Sequence, residues 1–180
     1  MSDLPPSDHL LRTLAAVPVG SRLLDLGCGG GRHAVPLARL GFDLWACDAD
    51  ESAVAAARER VAEVVGEAEA ARRVTAARPD ALGYGDDTFD WVVAHGPYDA
   101  AADAAALFDM LRETRRVLKP GGWVFVAFSQ EEGGADLTPE TLSKLFAEAG
   151  FALAEVPKAE ADPEPVVRGI YRKVDAATPV

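Results

Sequence analysis

Residues 22–32 read Arg22-Leu23-Leu24-Asp25-Leu26-Gly27-Cys28-Gly29-Gly30-Gly31-Arg32. An apolar run holding one acidic residue ends at a cluster of glycines. Residues 32–40 then carry apolar side chains at helical spacing and stop at Gly41. This order predicts a strand, a glycine turn, a helix and a closing glycine. Glycine suits such a turn because it adopts positive φ without penalty and lets a ligand approach the backbone. The helix that follows directs free N–H groups and the positive end of its dipole at whatever anion lies in the turn. In an open parallel sheet, that is where ligands bind.

The alternation continues outward. Residues 42–47 read as a second strand, and residues 51–65 as an Ala-rich helix after the acidic turn Asp48-Ala49-Asp50. Gly66 and the charged run 67–73 then suggest a surface loop. A short third strand is expected over 74–77 and a fourth over 89–94, FDWVVA. Residues 100–118 form a long helical stretch broken by Pro120-Gly121-Gly122, and 123–128, WVFVAF, a fifth strand. Continuous apolarity of that kind requires burial on both faces. Thr138 at an N-cap and Pro139 in the first turn start a helix that runs to Ala149 and ends at Gly150. Residues 151–156 and 166–174 are strand-like, with only the Pro-rich acidic linker 159–165 between them. That linker is too short for a crossover helix, so the pair should form an antiparallel hairpin at the sheet edge. Strands alternating with helices predict an α/β fold with a mostly parallel sheet.

A length of 180 residues fits one domain by the prior of roughly 100–200 residues each. Residues 1–20 are expected to form a helix or short cap, and 21–180 a single domain. Hydrophobic residues make up 49% and charged residues 26%, which argues against disorder and against a disulfide scaffold. No apolar run approaches the ~20 residues that cross a bilayer. The opening MSDLPPSDHLLRTL carries Asp3 and Asp8 and lacks the basic start of a secretory signal, so a soluble, cytoplasmic protein is expected. Eighteen basic against 29 acidic residues give a formal charge of −11. Such a surface repels phosphate backbones and anionic membranes, so neither nucleic acid nor membrane is expected as a partner. Cys28 and Cys47 lie in apolar segments outside any Cys-x-x-Cys or Cys/His cluster, which points to reduced structural thiols and no metal.

Glycine spacing alone leaves the ligand open. Gly29-x-Gly31-x-x-Ala34, with Asp48 downstream, satisfies the dinucleotide fingerprint. The competing parse, Asp25-x-Gly27-x-Gly29-x-Gly31, puts a carboxylate at the strand end, which suits an ammonium group and repels a pyrophosphate.

LLDLGCGGGR (23–32), the acidic position in WACDAD (45–50), FDWVVAHG (89–96) and RRVLKPGGWVFVAF (115–128) stand in the order and spacing of a known family. Together they resemble the class I S-adenosylmethionine-dependent methyltransferases over residues 20–175. The stretch 29–50 is also similar to tellurite-resistance-type and related small-molecule methyltransferases. The resemblance implies a Rossmann-like, doubly wound seven-stranded sheet, mostly parallel, whose seventh strand is antiparallel. It implies S-adenosyl-L-methionine as cofactor. Asp25, Gly27, Cys28, Gly29 and Gly31 would line the pocket for its methionine part. Asp48, followed by Ala49, would accept from both ribose hydroxyls, since a carboxylate offers two acceptor oxygens to a diol. Asp80 would face the adenine amino group, with the Ala81 N–H donating to a ring nitrogen.

Methyl transfer from a sulfonium is an in-line displacement, so the protein mainly aligns the reactants and excludes water. A general base matters only for a hydroxyl, thiol or protonated amine. His95, just beyond the fourth strand, is the candidate base, with Tyr98 three residues on, because histidine titrates near neutrality. Its other readings are a contact to the cofactor backbone and a packed polar residue. His33 and His9 have no better claim. His95-Gly96-Pro97-Tyr98 is similar to the Asn/Asp-Pro-Pro-Tyr motif of nucleic-acid amino-methyltransferases but departs from it at the first two positions. Trp45, Trp91 and Trp123 lie within strand runs and are expected in the core. Only residues 129–137 separate the fifth strand from the next helix, so the acceptor side should be open, or closed by the N-terminal helix and a second copy in a homodimer. The expected function is in-line methyl transfer to a small-molecule acceptor. The alternative is a catalytically silent S-adenosylmethionine-binding module that partners another protein. A nicotinamide-dependent enzyme is a third possibility, and a substrate domain for it is missing.

Overall fold

The computed structural model describes residues 5–129, 139–156 and 166–174, so Thr138, the linker 159–165 and the connection after residue 129 lie outside the described residues. Strands β1 (Arg22–Leu26), β2 (Asp43–Asp48), β3 (Val74–Ala76), β4 (Phe89–His95), β5 (Leu118–Ser129), β6 (Phe151–Glu155) and β7 (Val166–Lys173) form one seven-stranded sheet. Its order is β3-β2-β1-β4-β5-β7-β6. β1, β2, β3, β4 and β5 pair in parallel, and β7 runs antiparallel to both β5 and β6. The sheet is the Rossmann-like, mostly parallel one that the resemblance implies, with the expected antiparallel C-terminal edge. Strand order reverses between β1 and β4, so a crevice opens at the carboxyl ends of those two strands.

Strand side chains alternate between two faces. Leu24 and Leu26 of β1, Val124 and Val126 of β5, and Leu107, Leu111 and Phe146 from helices α5 (Ala104–Val117) and α6 (Pro139–Glu148) form one core. Leu23 and Phe125 face the other way. There they join Leu10 of α1 (Asp8–Leu14), Leu37 of α2 (Ala34–Arg39) and Val54 of α3 (Glu51–Val65). Burial of each such Leu or Phe stabilises the fold by about 1.5–3 kcal/mol. Asp25 and His95 fall on this second face by alternation with Leu23 and Val93. The second core therefore continues into the polar crevice. Among the described residues, no helix is long and apolar enough to cross a membrane.

Several boundaries differ from the sequence reading. The charged run 67–73 is a helix, α4 (Glu67–Arg73), instead of a loop. Gly66, at φ 88°, ends α3 and starts α4. Glu67 and Glu69 in its first turn and Arg72 and Arg73 in its last complement the helix dipole. Ala70 is fully buried, and Arg73 bridges Glu69 at 2.7 Å and Asp43 at 3.0 Å, so the run has an inner face that composition conceals. β5 begins earlier, at Leu118 instead of Trp123, because Pro120-Gly121-Gly122 is accommodated as an irregularity between the pairs Phe89↔Leu118 and Trp91↔Trp123. Bulges are where a sheet tolerates proline. Pro97–Ala100 is a 3-10 turn, and α5 starts only at Ala104, capped by the Asp103 carboxylate accepting from Ala106 N at 2.8 Å.

Candidate active site

The glycine turn is fastened to the end of β2: Gly27 N and Cys28 N both donate to Cys47 O, at 2.8 and 3.0 Å. Gly27, at φ 71°, lies under the loop after β4, where a Cβ would stand 2.6 Å from Pro97 Cβ. A side chain here is excluded by both conformation and space. Gly31 seats against Ala57 of α3. Gly29 differs: at φ 51° it too is strained for an L residue, yet a Cβ on it, or on Gly30, would meet nothing within 4 Å. The turn thus presents bare backbone to open space, as a ligand cradle requires. Cys28 is buried beneath it, and burial pushes its thiol and that of Cys47 up, Cys47 to about 12, so both are inert structural groups.

Two carboxylates flank the cradle. Asp48 Oδ2 accepts from Gly29 N at 2.8 Å and Oδ1 from Asp50 N at 3.0 Å. Asp50 in turn caps α3, accepting from Ser52 N at 2.8 Å. Each Asp48 oxygen keeps lone-pair capacity for a further donor. Ala49 beside it is exposed. Asp25 is only 1% exposed, and its Oδ2 has no hydrogen-bond partner among the described residues. Burial first, and the neighbouring Asp48 charge second, raise its pKa to about 7, while a hydrogen bond from the Ala34 backbone pulls it down. A buried acceptor left unmet costs about 1–3 kcal/mol, which a cationic donor arriving in the crevice would relieve. A pyrophosphate over the same two carboxylates would be repelled, so the dinucleotide parse fits this site poorly. An ammonium for Asp25, a diol for Asp48 and open backbone at Gly29 fit the polar groups of S-adenosylmethionine.

Asp80 stands farther out. Its carboxylate accepts from Arg78 Nε at 2.9 Å and Nη2 at 2.6 Å, and these hydrogen bonds hold it below the usual carboxylate range. The Ala81 N–H donates to Arg78 O at 3.0 Å, closing a turn.

At the carboxyl end of β4, His95 stands opposite Ala127 of β5. Its ring lies 4.8 Å from that of His33, tilted by 45°. His33 is the residue sequence reading passed over. The available signal was its place at the start of α2, on the same side of the sheet as Asp25. Tyr98 is not brought to the site. It is 1% exposed, its hydroxyl shares a 2.7 Å hydrogen bond with Thr114 Oγ1, and its ring packs 5.8 Å from Phe128. Three residues beyond His95, the chain has turned through the 3-10 segment and carried Tyr98 to the opposite core. Trp91 and Trp123 stack on each other at 5.6 Å, and Trp45 meets Tyr84 edge-on at 6.0 Å. Among the described residues, no cluster of three or more His, Cys, Asp or Glu is placed to hold a metal ion.

With this geometry in view, a family profile described as a methyltransferase domain matches residues 23–122, which includes the glycine turn, Asp48, Asp80 and His95. The ubiquinone biosynthesis O-methyltransferase of Caulobacter vibrioides is 41% identical over 108 residues, which are 60% of this chain and 40% of that protein. The protein of the same name from Sinorhizobium medicae is 38% identical over 109 residues, 60% of this chain and 41% of that one. The chain therefore spans about two fifths of the length of these curated relatives. Among solved structures, an S-adenosylmethionine-dependent methyltransferase from Methanosarcina mazei superposes with a TM-score of 0.73 at 19% identity, over 95% of this chain and 99% of that one. A TehB-like S-adenosylmethionine-dependent methyltransferase from Corynebacterium glutamicum also gives 0.73 at 19% identity, over 92% and 86%. The two structural likenesses establish the fold. The profile match covers more than half of the sequence, and by it the chain belongs to the methyltransferase-domain family, with class I architecture and S-adenosylmethionine as the family's cofactor.

Proposed function

We propose that the chain transfers a methyl group from S-adenosylmethionine to a hydroxyl oxygen of a small molecule. The observation that carries this reading is Asp25, a buried carboxyl group with an unmet oxygen beside an open glycine cradle, inside the segment that matches the family. Ionised Asp25 takes the cofactor's ammonium group, and the Asp48 oxygens accept from its ribose hydroxyls. Asp80 serves the adenine end, where the Ala81 N–H expected to meet a ring nitrogen is already donated to Arg78 O, and the backbone of Gly27, Cys28, Gly29, Gly31 and Ala49 lines the path between. When bound, the cofactor supplies a methyl group made electrophilic by its sulfonium. That methyl group would pass to the acceptor oxygen with the C–S pair left on sulfur, and His95 would take the proton that the hydroxyl gives up. Oxygen as the acceptor atom is supported by relatives named O-methyltransferases. The formal charge of −11, and glycine where the nucleic-acid motif has proline, support a small molecule over nucleic acid. A cytoplasmic enzyme whose acceptor side is closed by a second copy fits the same features.

Calorimetry with S-adenosylhomocysteine tests the proposal. Saturable binding that disappears in Asp48→Ala and Gly29→Val is the expected outcome. No binding by the wild type, or full binding by both variants, contradicts it.

A further inference from the structure

His33 occupies the N-cap of α2, where helices favour Ser, Thr, Asp or Asn because those side chains accept from a free backbone N–H. The His33 side chain makes no capping hydrogen bond. Instead, the Ala34 N–H is met by Asp25, reaching from the end of β1. The capping work is done from the strand, and the side chain at the cap position is released for something else.

His33 is 6% exposed, and its Nε2 has no hydrogen-bond partner among the described residues. Its ring lies 4.8 Å from that of His95. Burial, then the neighbouring His95 and Arg32, lower its pKa to about 3, so it stays neutral at working pH. A weak cap and an unmet buried nitrogen are both local departures from a stable design, and such departures concentrate where function requires them. Arg32 Nε donates to Pro5 O at 2.7 Å. His33, from the start of α2, meets His95.

A neutral ring in contact with His95 restricts the orientations that His95 can take, and it places no charge beside a proton acceptor. We propose that His33 is an acceptor-binding residue: it packs on the ring of His95 at the end of β4 and offers its own Nε2 to the hydroxyl of the incoming methyl acceptor. The inference rests on the reading of His95 as the proton acceptor.

The test uses catechol as a small hydroxyl probe. It is titrated into the S-adenosylhomocysteine complexes of the wild type, His33→Phe, which keeps a ring, and His33→Asn, which keeps a polar group. S-adenosylhomocysteine affinity should stay within about threefold in both variants, which checks their folding. Catechol should bind about tenfold more weakly to His33→Phe and near normally to His33→Asn, as expected for one hydrogen bond lost and restored. In methyl transfer to catechol, the acidic limb of the kcat profile should move in His33→Phe, a change that a purely structural residue would not produce. The contrast between His33→Ala and His33→Asn reads the same effect if the Phe variant fails to fold. Equal catechol affinity in the wild type and His33→Phe, or no catechol binding by a wild-type complex that holds S-adenosylhomocysteine, overturns the role of His33. Failure of the wild type to bind S-adenosylhomocysteine at all overturns the functional reading beneath it.

Discussion

The carboxyl edge of β1 and β2 and the carboxyl end of β4 lie side by side, yet they are built differently. At the first, backbone fixes the polar groups. Asp48 is held by two N–H donors, at 2.8 and 3.0 Å, and the turn itself is tied to Cys47 O. At the second, side chains from separate elements meet, His33 from the start of α2 and His95 from β4. The two carboxylates sharpen the contrast. Asp48 is satisfied and ready for neutral hydroxyls, whereas Asp25 is buried with an unmet oxygen, a state that suits a cation. A rigid, backbone-defined half can serve a constant cofactor, and a side-chain-defined half can change with the acceptor.

The largest effect that would break this contrast is on Asp25. Asp25→Asn should weaken S-adenosylhomocysteine binding by roughly 10- to 100-fold, the worth of a charged hydrogen bond. It should also stabilise the free protein above neutral pH. The Asp25 pKa is raised from 3.8 to about 7 in the fold. The wild type therefore loses stability as pH rises from about 4 to 7, while the Asn variant lacks that slope. Thermal melts at pH 5 and 8 compare the two, and an unchanged slope in the variant refutes the assignment.

Next is Gly27→Ala, which drives a Cβ to 2.6 Å from Pro97 Cβ at φ 71° and so presses one region against the other. A loss of about 2 kcal/mol or more in chemical denaturation is expected, with weakened cofactor binding. Tyr98→Phe should cost about 1–2 kcal/mol by leaving Thr114 unpaired in the core. Cofactor affinity and methyl transfer should be unchanged, and lost transfer at full stability would return Tyr98 to the chemistry. A separate effect is expected in acid. The His33 pKa falls from 6.5 to about 3 on folding, so stability is lost as pH drops through that window, opposite in sign to the Asp25 slope. His33→Asn should make acid melts shallower, and an identical acid limb would place the ring in contact with water.

What was legible in the sequence follows the same division. The glycine turn, Asp25 and Asp48 sit within a few residues of one another or at the ends of adjacent strands, so spacing alone brings them together. The sheet was readable because the run 123–128 of β5 is continuously apolar and strand-like runs alternate with helical stretches along the chain. The helix over 67–73 was hidden because Ala70 is its single buried residue among charges that read as solvated. The positions of His33 and Tyr98 were hidden because their surroundings are set by the turn into α2 and the 3-10 segment after β4, whose directions no local pattern encodes. Tyr98 follows His95 closely in sequence and leaves it in space, and His33 does the reverse.

The central claim is that the edge formed by β1 and β2 holds S-adenosylmethionine through an Asp25 that must be ionised to do so. Titration of S-adenosylhomocysteine at pH 7, in two buffers of different ionisation enthalpy, measures the protons released on binding. With the Asp25 pKa at about 7, one-to-one binding should release about half a proton, and Asp25→Asn should release none and bind far more weakly. Binding without proton release, at equal affinity in the wild type and Asp25→Asn, would contradict the claim.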